Sequence, residues 1–217
     1  MTQNDSTMLR GTCFVTGTDT EIGKTWVSCR LLERAQAAGL SCYGLKPIAA
    51  GCEQYDGQWQ NDDARALMAA SSISLSYDEV NPLALRAAIA PHLAAAREQR
   101  QLSAERLAGY LRGTLNSHRA DLVLIEGAGG WRVPLNLREP LSALPRLLEL
   151  PVILVVGMRL GCINHALLTA EAIQRDGLTL AGWVANDLGK PMPQLAENIA
   201  TLDALMPVAR LTLDSSV

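Results

Sequence analysis

The stretch Gly17-Thr18-Asp19-Thr20-Glu21-Ile22-Gly23-Lys24-Thr25, entered from the apolar run Cys13-Phe14-Val15, decides the class of this chain. Its glycines let the backbone turn tightly enough for successive N–H groups to face inward. That nest, with the positive N-terminal end of a helix starting near Lys24, suits a polyphosphate. Lys24 then reaches the outer phosphates, and the Thr25 hydroxyl sits on Mg²⁺. Five residues rather than the usual four separate Gly17 from Gly23, which narrows the family. A glycine-rich turn between any strand and helix is the plainer reading of Gly-Lys-Thr alone. Its surroundings speak against that, because Val27, Leu31 and Ala35 recur at helical spacing and Gly39 supplies a stop.

A chain of 217 residues is long enough for one domain with a central sheet covered on both faces. A net charge of −3 without a basic run argues against nucleic acid and for small-molecule partners. The N-terminal residues lack the basic flank and apolar stretch of a signal peptide, and the longest strongly apolar run, Pro151 to Met158, is far short of the roughly 20 residues that span a bilayer. A soluble, cytoplasmic protein without membrane contact is expected. The five cysteines (Cys13, Cys29, Cys42, Cys52, Cys162) are odd in number and form no C-x-x-C pair. They suggest neither disulfides nor zinc, and read mostly as small buried residues. His92, His118 and His165 are too scattered to suggest a metal cluster.

Short apolar runs alternate with helical patterns, the signature of an α/β fold with a mostly parallel sheet flanked by helices on both faces. Strands are predicted at Cys13–Val15, Cys42–Leu45, Leu122–Ile125, Val152–Val156, Leu180–Ala185 and, weakly, Val208–Leu213. Helices are predicted at Lys24–Ala38, Asp63–Ala70, Ala104–Ser117, Asn164–Arg175 and Gln194–Leu205. Right-handed crossovers put the strand-end loops on one edge, where open α/β proteins bind ligands. Ala84 to Ala96 reads as helix or packed loop, and Gly51 to Asn61 as a surface loop beside the site.

Three further residues on that edge carry chemistry. Glu126 ends the strand Asp121-Leu122-Val123-Leu124-Ile125 and precedes Gly127-Ala128-Gly129-Gly130, backbone that a ligand can approach closely. It could hold Mg²⁺, or be a solvated strand-end acid. In Asn61-Asp62-Asp63 an acid before a helix is ordinarily a cap, which does not preclude a metal; spacing does not choose between Asp62 and Asp63. Lys46, between a strand and Pro47, is either a surface lysine or a second cation for charge developing in phosphoryl transfer.

Taken together, GTDTEIGKT, KPIAAG (Lys46 to Gly51), NDDA (Asn61 to Ala64), EGAGGW (Glu126 to Trp131), PVILVVGMRLGCINH (Pro151 to His165) and GWVAND (Gly182 to Asp187) resemble dethiobiotin synthetase in order and spacing, from about Cys13 to Pro207. The resemblance implies a single-domain P-loop NTPase fold and an ATP- and Mg²⁺-dependent ring closure. One amine of 7,8-diaminononanoate takes up CO₂ as a carbamate, ATP phosphorylates it, and the second amine closes a cyclic urea with loss of phosphate. Anion meets anion in that step, so Lys24, Lys46 and Mg²⁺ are needed to screen charge.

By matching motif, the resemblance implies Lys46 as catalytic lysine beside Lys24, and Thr25, Asp63 and Glu126 around Mg²⁺. Thr20, Glu21, Ile22, Gly23, Lys24, Thr25 and Trp26 wrap the phosphates, Gly127, Ala128 and Gly129 follow the nucleotide, and Asn186 and Asp187 lie on the adenine side. Ala50 falls in the diamine site. Gly161, Cys162, Ile163 and Asn164 offer a helix N-terminus to the substrate carboxylate across a homodimer interface, so that two chains share a site. Without the family, His165 reads as a helix-start residue and Trp131 and Trp183 as packing aromatics.

Three departures stand out. Ala50 and Ala90 replace serines common in the family, removing hydroxyls near the diamine, and the sequence ends at Val217 where many relatives continue over the base. Weakened base selection is the resulting expectation. The competing readings are a nucleotide-binding paralogue without turnover and a partition-type switch, which would want a basic amphipathic tail.

Overall fold

Strand β1 (Gly11–Gly17) presents Cys13 and Val15 to one core and Phe14 to another, as the two-residue period of a strand requires. The computed structural model describes residues 8–213. From β1 the chain passes through α1 (Lys24–Ala37) to β2 (Cys42–Leu45) at one edge of the central sheet. It then leaves that sheet for β3 (Ile48–Ala50), the hairpin β4 (Glu53–Tyr55) and β5 (Gln58–Gln60), and helices α2 (Asp62–Ala69) and α3 (Tyr77–Val80). β6 (Leu83–Leu85), α4 (Pro91–Arg97) and α5 (Ala104–Ser117) lead back to β7 (Leu122–Gly130). After α6 (Ala143–Leu147) come β8 (Val152–Met158), α7 (Cys162–Arg175), β9 (Leu180–Asp187) and α8 (Leu195–Leu205).

The sheet order is β2-β7-β1-β8-β9, parallel throughout. β1 connects toward β2 on one side and its neighbour β8 toward β9 on the other, so the C-terminal loop of β1 opens at the switch point where such sheets bind ligands. Every residue of β8 is buried, the condition of a central strand with both faces covered. On one face Val27, Leu31 and Leu32 of α1 and Leu67 of α2 pack on Val15, Leu124 and Val155. On the other, Leu107 and Leu111 of α5 and Ala166 and Ile173 of α7 join Phe14, Ile125, Val156 and Trp183. Each large apolar side chain so buried contributes roughly 1.5–3 kcal/mol.

The single parallel domain is as expected, and the differences are local. Ala84 to Ala96 is neither one helix nor a loop: Leu83–Leu85 pairs in parallel with β3, and a separate helix starts at Pro91, whose missing N–H suits a first turn. Gly51 to Asn61 contains the β4–β5 hairpin, turned by Asp56 and Gly57, both at positive φ. Val208 to Leu213 forms no strand. It meets β9 through one bridge, Trp183 to Arg210, and a bond from Leu211 N–H to Trp183 O at 2.8 Å. Leu211 lies over Gly182, where an added Cβ would come within 2.6 Å of its Cγ, so side-chain packing adds to that single bridge.

Cys13, Cys42, Cys52 and Cys162 are buried, Cys29 is half-buried, and all five are free. Trp131 and Trp183 are both in the core, Trp131 edge-on to Phe14. Among the described residues, no helix is long and apolar enough to cross a membrane.

Candidate active site

The loop after β1 is held in shape from below. Ile22 is buried under it, close enough that a Cβ on Gly17 would stand 2.7 Å from Ile22 Cδ1 and one on Gly157 of β8 2.6 Å from Ile22 Cγ2. Gly23, at φ 81°, caps α1 in the left-handed region, and Glu21 also has positive φ. Asn186, at the end of β9, donates Nδ2 to Ile22 O at 2.8 Å and lies where a Cβ of Gly23 would be. The buried amide of Asn186 therefore braces the loop from behind. Asp187 Oδ1 accepts from Gly189 N–H at 2.9 Å and closes the following turn.

Lys24 folds back on its own loop, its Nζ donating to Asp19 O at 2.8 Å. Burial, aided by the neighbouring Lys46 charge, lowers its pKa to about 8. Asp19 accepts from Thr20 N–H at 2.8 Å and pairs with Arg159. The backbone bond, then the guanidinium, holds its carboxyl below the ordinary value despite some desolvation.

Behind the loop stands a second group of charges. Glu126 is fully buried and accepts from Thr25 Oγ1 at 2.7 Å, Ser28 Oγ at 3.1 Å and Lys46 Nζ at 2.6 Å. Lys46 Nζ also meets Asp63 Oδ2 at 2.9 Å and Gly127 O at 3.1 Å. Burial alone would depress Lys46, but the Glu126 and Asp63 carboxylates outweigh it and raise its pKa above 10.5. Burial likewise pushes Asp63 up, and Lys46 overrides it to leave the acid below its ordinary value. Of the two acids left open by spacing, Asp63 faces Lys46, whereas Asp62 is exposed and accepts from Tyr55 OH at 2.9 Å. Neither acid caps α2. Asn61 does, its Oδ1 accepting from Asp63 N–H at 3.1 Å.

A cavity of about 520 Å³ opens beside these charges. Thr20, Glu21, Lys24, Lys46, Asp63, Ala128 and Gly129 form its polar side, and Ala49, Ala50, Ile89, Ala90, Val133 and Pro134 its apolar one. Trp26 is 55% exposed on the outer surface of α1. Gly161, Cys162, Ile163 and Asn164 start α7 with Gly161 at φ 92°, and none of them lines this cavity. Sequence reasoning did not include Ser28, although its place three residues after Thr25 puts both hydroxyls on one helix face. It also missed Asn61, Tyr77 and Asn81, whose contacts reach back to this site from more distant parts of the chain.

A family model described as an AAA domain matches residues 11–212. The "ATP-dependent dethiobiotin synthetase BioD" of Cellvibrio japonicus (strain Ueda107) is 57% identical over 209 residues, covering 94% of this chain and 91% of that protein. The chain belongs to the dethiobiotin synthetase family. The protein of the same name from Pseudomonas paraeruginosa is 58% identical over 194 residues, 89% of this chain and 85% of that one.

Solved structures share the fold of this dethiobiotin synthetase family member. The signal recognition particle receptor FtsY from Elizabethkingia anophelis, in complex with GDP, superposes with a TM-score of 0.57 at 16% identity, over 99% of this chain and 61% of that one. A ParA family ATPase from Chlorobium tepidum gives 0.52 at 8% identity, over 95% and 86%. At such identities the likeness concerns fold alone.

Proposed function

We propose that this chain closes the cyclic urea of dethiobiotin from 7,8-diaminononanoate, CO₂ and ATP. The observation that carries this reading is the placement of Lys46 and Lys24 at the polar side of a cavity whose other wall is apolar. A substrate with amines at one end and an alkyl chain behind them matches both sides. In the first step an amine nitrogen adds to CO₂ and loses a proton, giving the carbamate. A carbamate oxygen then attacks the γ-phosphorus and ADP leaves, forming a carbamic–phosphoric anhydride. The second amine attacks its carbonyl carbon, phosphate departs, and the ring is closed. Lys24 and Lys46 offset the charge that gathers where two anions meet. The loop N–H groups hold the nucleotide in line for the transfer.

Thr25, Asp63 and Glu126 would hold Mg²⁺. Their donor set of one hydroxyl and two carboxylates fits a hard cation that completes its shell from phosphates and water, and the cluster already gathers the Lys46 ammonium. When bound, Mg²⁺ would supply further positive charge at the outer phosphates. Asn186 braces the loop with its Nδ2, and its Oδ1 would accept from a base. The active form is a homodimer, in which Gly161 to Asn164 of one subunit complete the diamine site of the other. Their position outside the subunit's own cavity supports that arrangement.

Incubation with diamine, ATP, Mg²⁺ and ¹³C-bicarbonate tests the reading. The product should carry one ¹³C in its ureido carbon and a mass equal to diamine plus CO₂ less one water. Recovery of unchanged diamine under conditions where the nucleotide binds would reject it in favour of a binding paralogue.

A further inference from the structure

Lys46 is fixed at both ends by one closed circuit of hydrogen bonds. Its N–H donates to Val80 O at 2.8 Å, and its carbonyl accepts from Asn81 Nδ2 at 2.6 Å. Asn81 is only 2% exposed, and its Oδ1 accepts from the Tyr77 hydroxyl at 2.9 Å. The Tyr77 oxygen accepts in turn from Asn61 N–H at 2.7 Å. Asn61 Oδ1 accepts from Asp63 N–H at 3.1 Å, and Asp63 Oδ2 returns to the Lys46 ammonium at 2.9 Å. The circuit thus begins at the main chain of Lys46 and ends at its side chain.

Tyr77 is the joint of this circuit. Its hydroxyl donates to Asn81 and accepts from Asn61, linking α3 to the turn of α2 that carries Asp63. A helix of four residues has no stability of its own, so α3 must be anchored from outside to serve as a clamp. It is anchored: Glu79 accepts from Ser76 N–H at 2.8 Å and Ser76 Oγ at 2.7 Å, and faces His118 Nε2 at 2.8 Å. Asn61 Nδ2 also donates to Ala50 O at 3.3 Å, tying the cavity wall to the same circuit. Simple satisfaction of buried polar groups would explain that Asn81 has partners. It would not require that both ends of the path lie on the same cavity lysine, Lys46.

We propose that Tyr77 and Asn81 are positioning residues for ring closure, locking the Lys46 main chain to the Asp63 turn and so setting where the ammonium stands against the phosphates and diamine. The proposal rests on the function assigned above to Lys46. A lysine side chain has four rotatable bonds, so an error in its main-chain anchor is carried to the ammonium. A displacement of about 1 Å at a reacting centre can lower rate by up to roughly 10²-fold.

Tyr77→Phe, Asn81→Asp and the double variant test it. Asn81→Asp keeps an acceptor for Tyr77 and removes the donor to Lys46. Tyr77→Phe should lower kcat about tenfold or more while leaving KM for Mg-ATP within about twofold, and the double variant should lose no more than about the worse single. Losses that multiply, or that fall on KM alone, would overturn the positioning role. A second readout does not depend on turnover. The sequence has three lysines, Lys24, Lys46 and Lys190, so ε-¹³C-lysine NMR resolves each. At one fixed pH, Lys46 held at both ends should show two distinct ε-proton shifts, which merge toward one in Tyr77→Phe. Unchanged separate shifts in that variant would refute the circuit even if the wild-type chain made no product. Merged shifts with an inactive wild type would instead support the circuit and refute the reaction.

Discussion

Lys24 and Lys46 are both buried cations, yet their surroundings predict opposite effects on stability. Lys24 Nζ donates to a backbone carbonyl, and burial with the like charge of Lys46 brings its pKa to about 8 from 10.5. At pH 7 the folded chain must hold a proton it binds weakly, a cost on the order of 1–3 kcal/mol. Lys24→Met should therefore raise the thermal midpoint of the nucleotide-free protein at pH 7 by roughly 2–6 °C, while lowering turnover by roughly 10²–10³-fold. A lower midpoint would mean that the bond to Asp19 outweighs burial. Lys46 instead answers two carboxylates, one of them fully buried. Lys46→Gln should destabilise by roughly 2–4 kcal/mol, since a buried acid loses its partner, and should cut kcat with nucleotide binding largely kept. Denaturant titration and calorimetry separate the two effects. Lys24 was legible in the sequence from the loop spacing Gly17 to Thr25 ahead of a helix, and Lys46 and Glu126 because each ends an apolar strand before Pro or Gly. Tyr77 and Asn81 were not, because their meaning lies in contacts with residues 16 and 35 positions away, which no local pattern records.

At the scale of elements, the anchoring of α3 has a measurable acid signature. Bonds from the Ser76 hydroxyl and N–H, then from His118, lower Glu79 to about 2 from 4.5. A depressed folded pKa gives stability that is present above about pH 4.5 and is lost as pH falls through 2. Glu79→Gln should thus lower stability at pH 7 and flatten the acid limb between those values, the two proteins converging near pH 2. The Glu79 side chain is 36% exposed and so partly screened by solvent, and the effect at pH 7 should be under about 1 kcal/mol. An unchanged acid limb would show that α3 is held by packing alone. The central strands were readable because each is covered on both faces and so appears as a continuous apolar run. The β4–β5 hairpin carried its own signal in Asp56-Gly57, which the polar character of the segment masked. Ala84 to Ala96 was ambiguous because alanine fits helix, strand and packed turn alike, and only tertiary pairing with β3 divides it.

For the whole molecule, the unassigned contact is the start of α7. Leu160 is 98% exposed beside Gly161, and this turn stands apart from the cavity of its own chain. In a shared-site homodimer, a Lys24→Ala chain mixed with a chain carrying a bulky substitution at Gly161 should recover part of the activity that each lacks alone, because one of the two sites is intact. No recovery after proven subunit exchange would place the whole site within one chain. The central claim is tested most directly by phosphate release measured while diamine, CO₂ and ATP are supplied singly, in pairs and together. Release should require all three, with one phosphate for each ring closed. Phosphate released at the same rate without diamine or CO₂ would contradict the account, since Lys24 and Lys46 would then serve a hydrolase or switch instead of a synthetase.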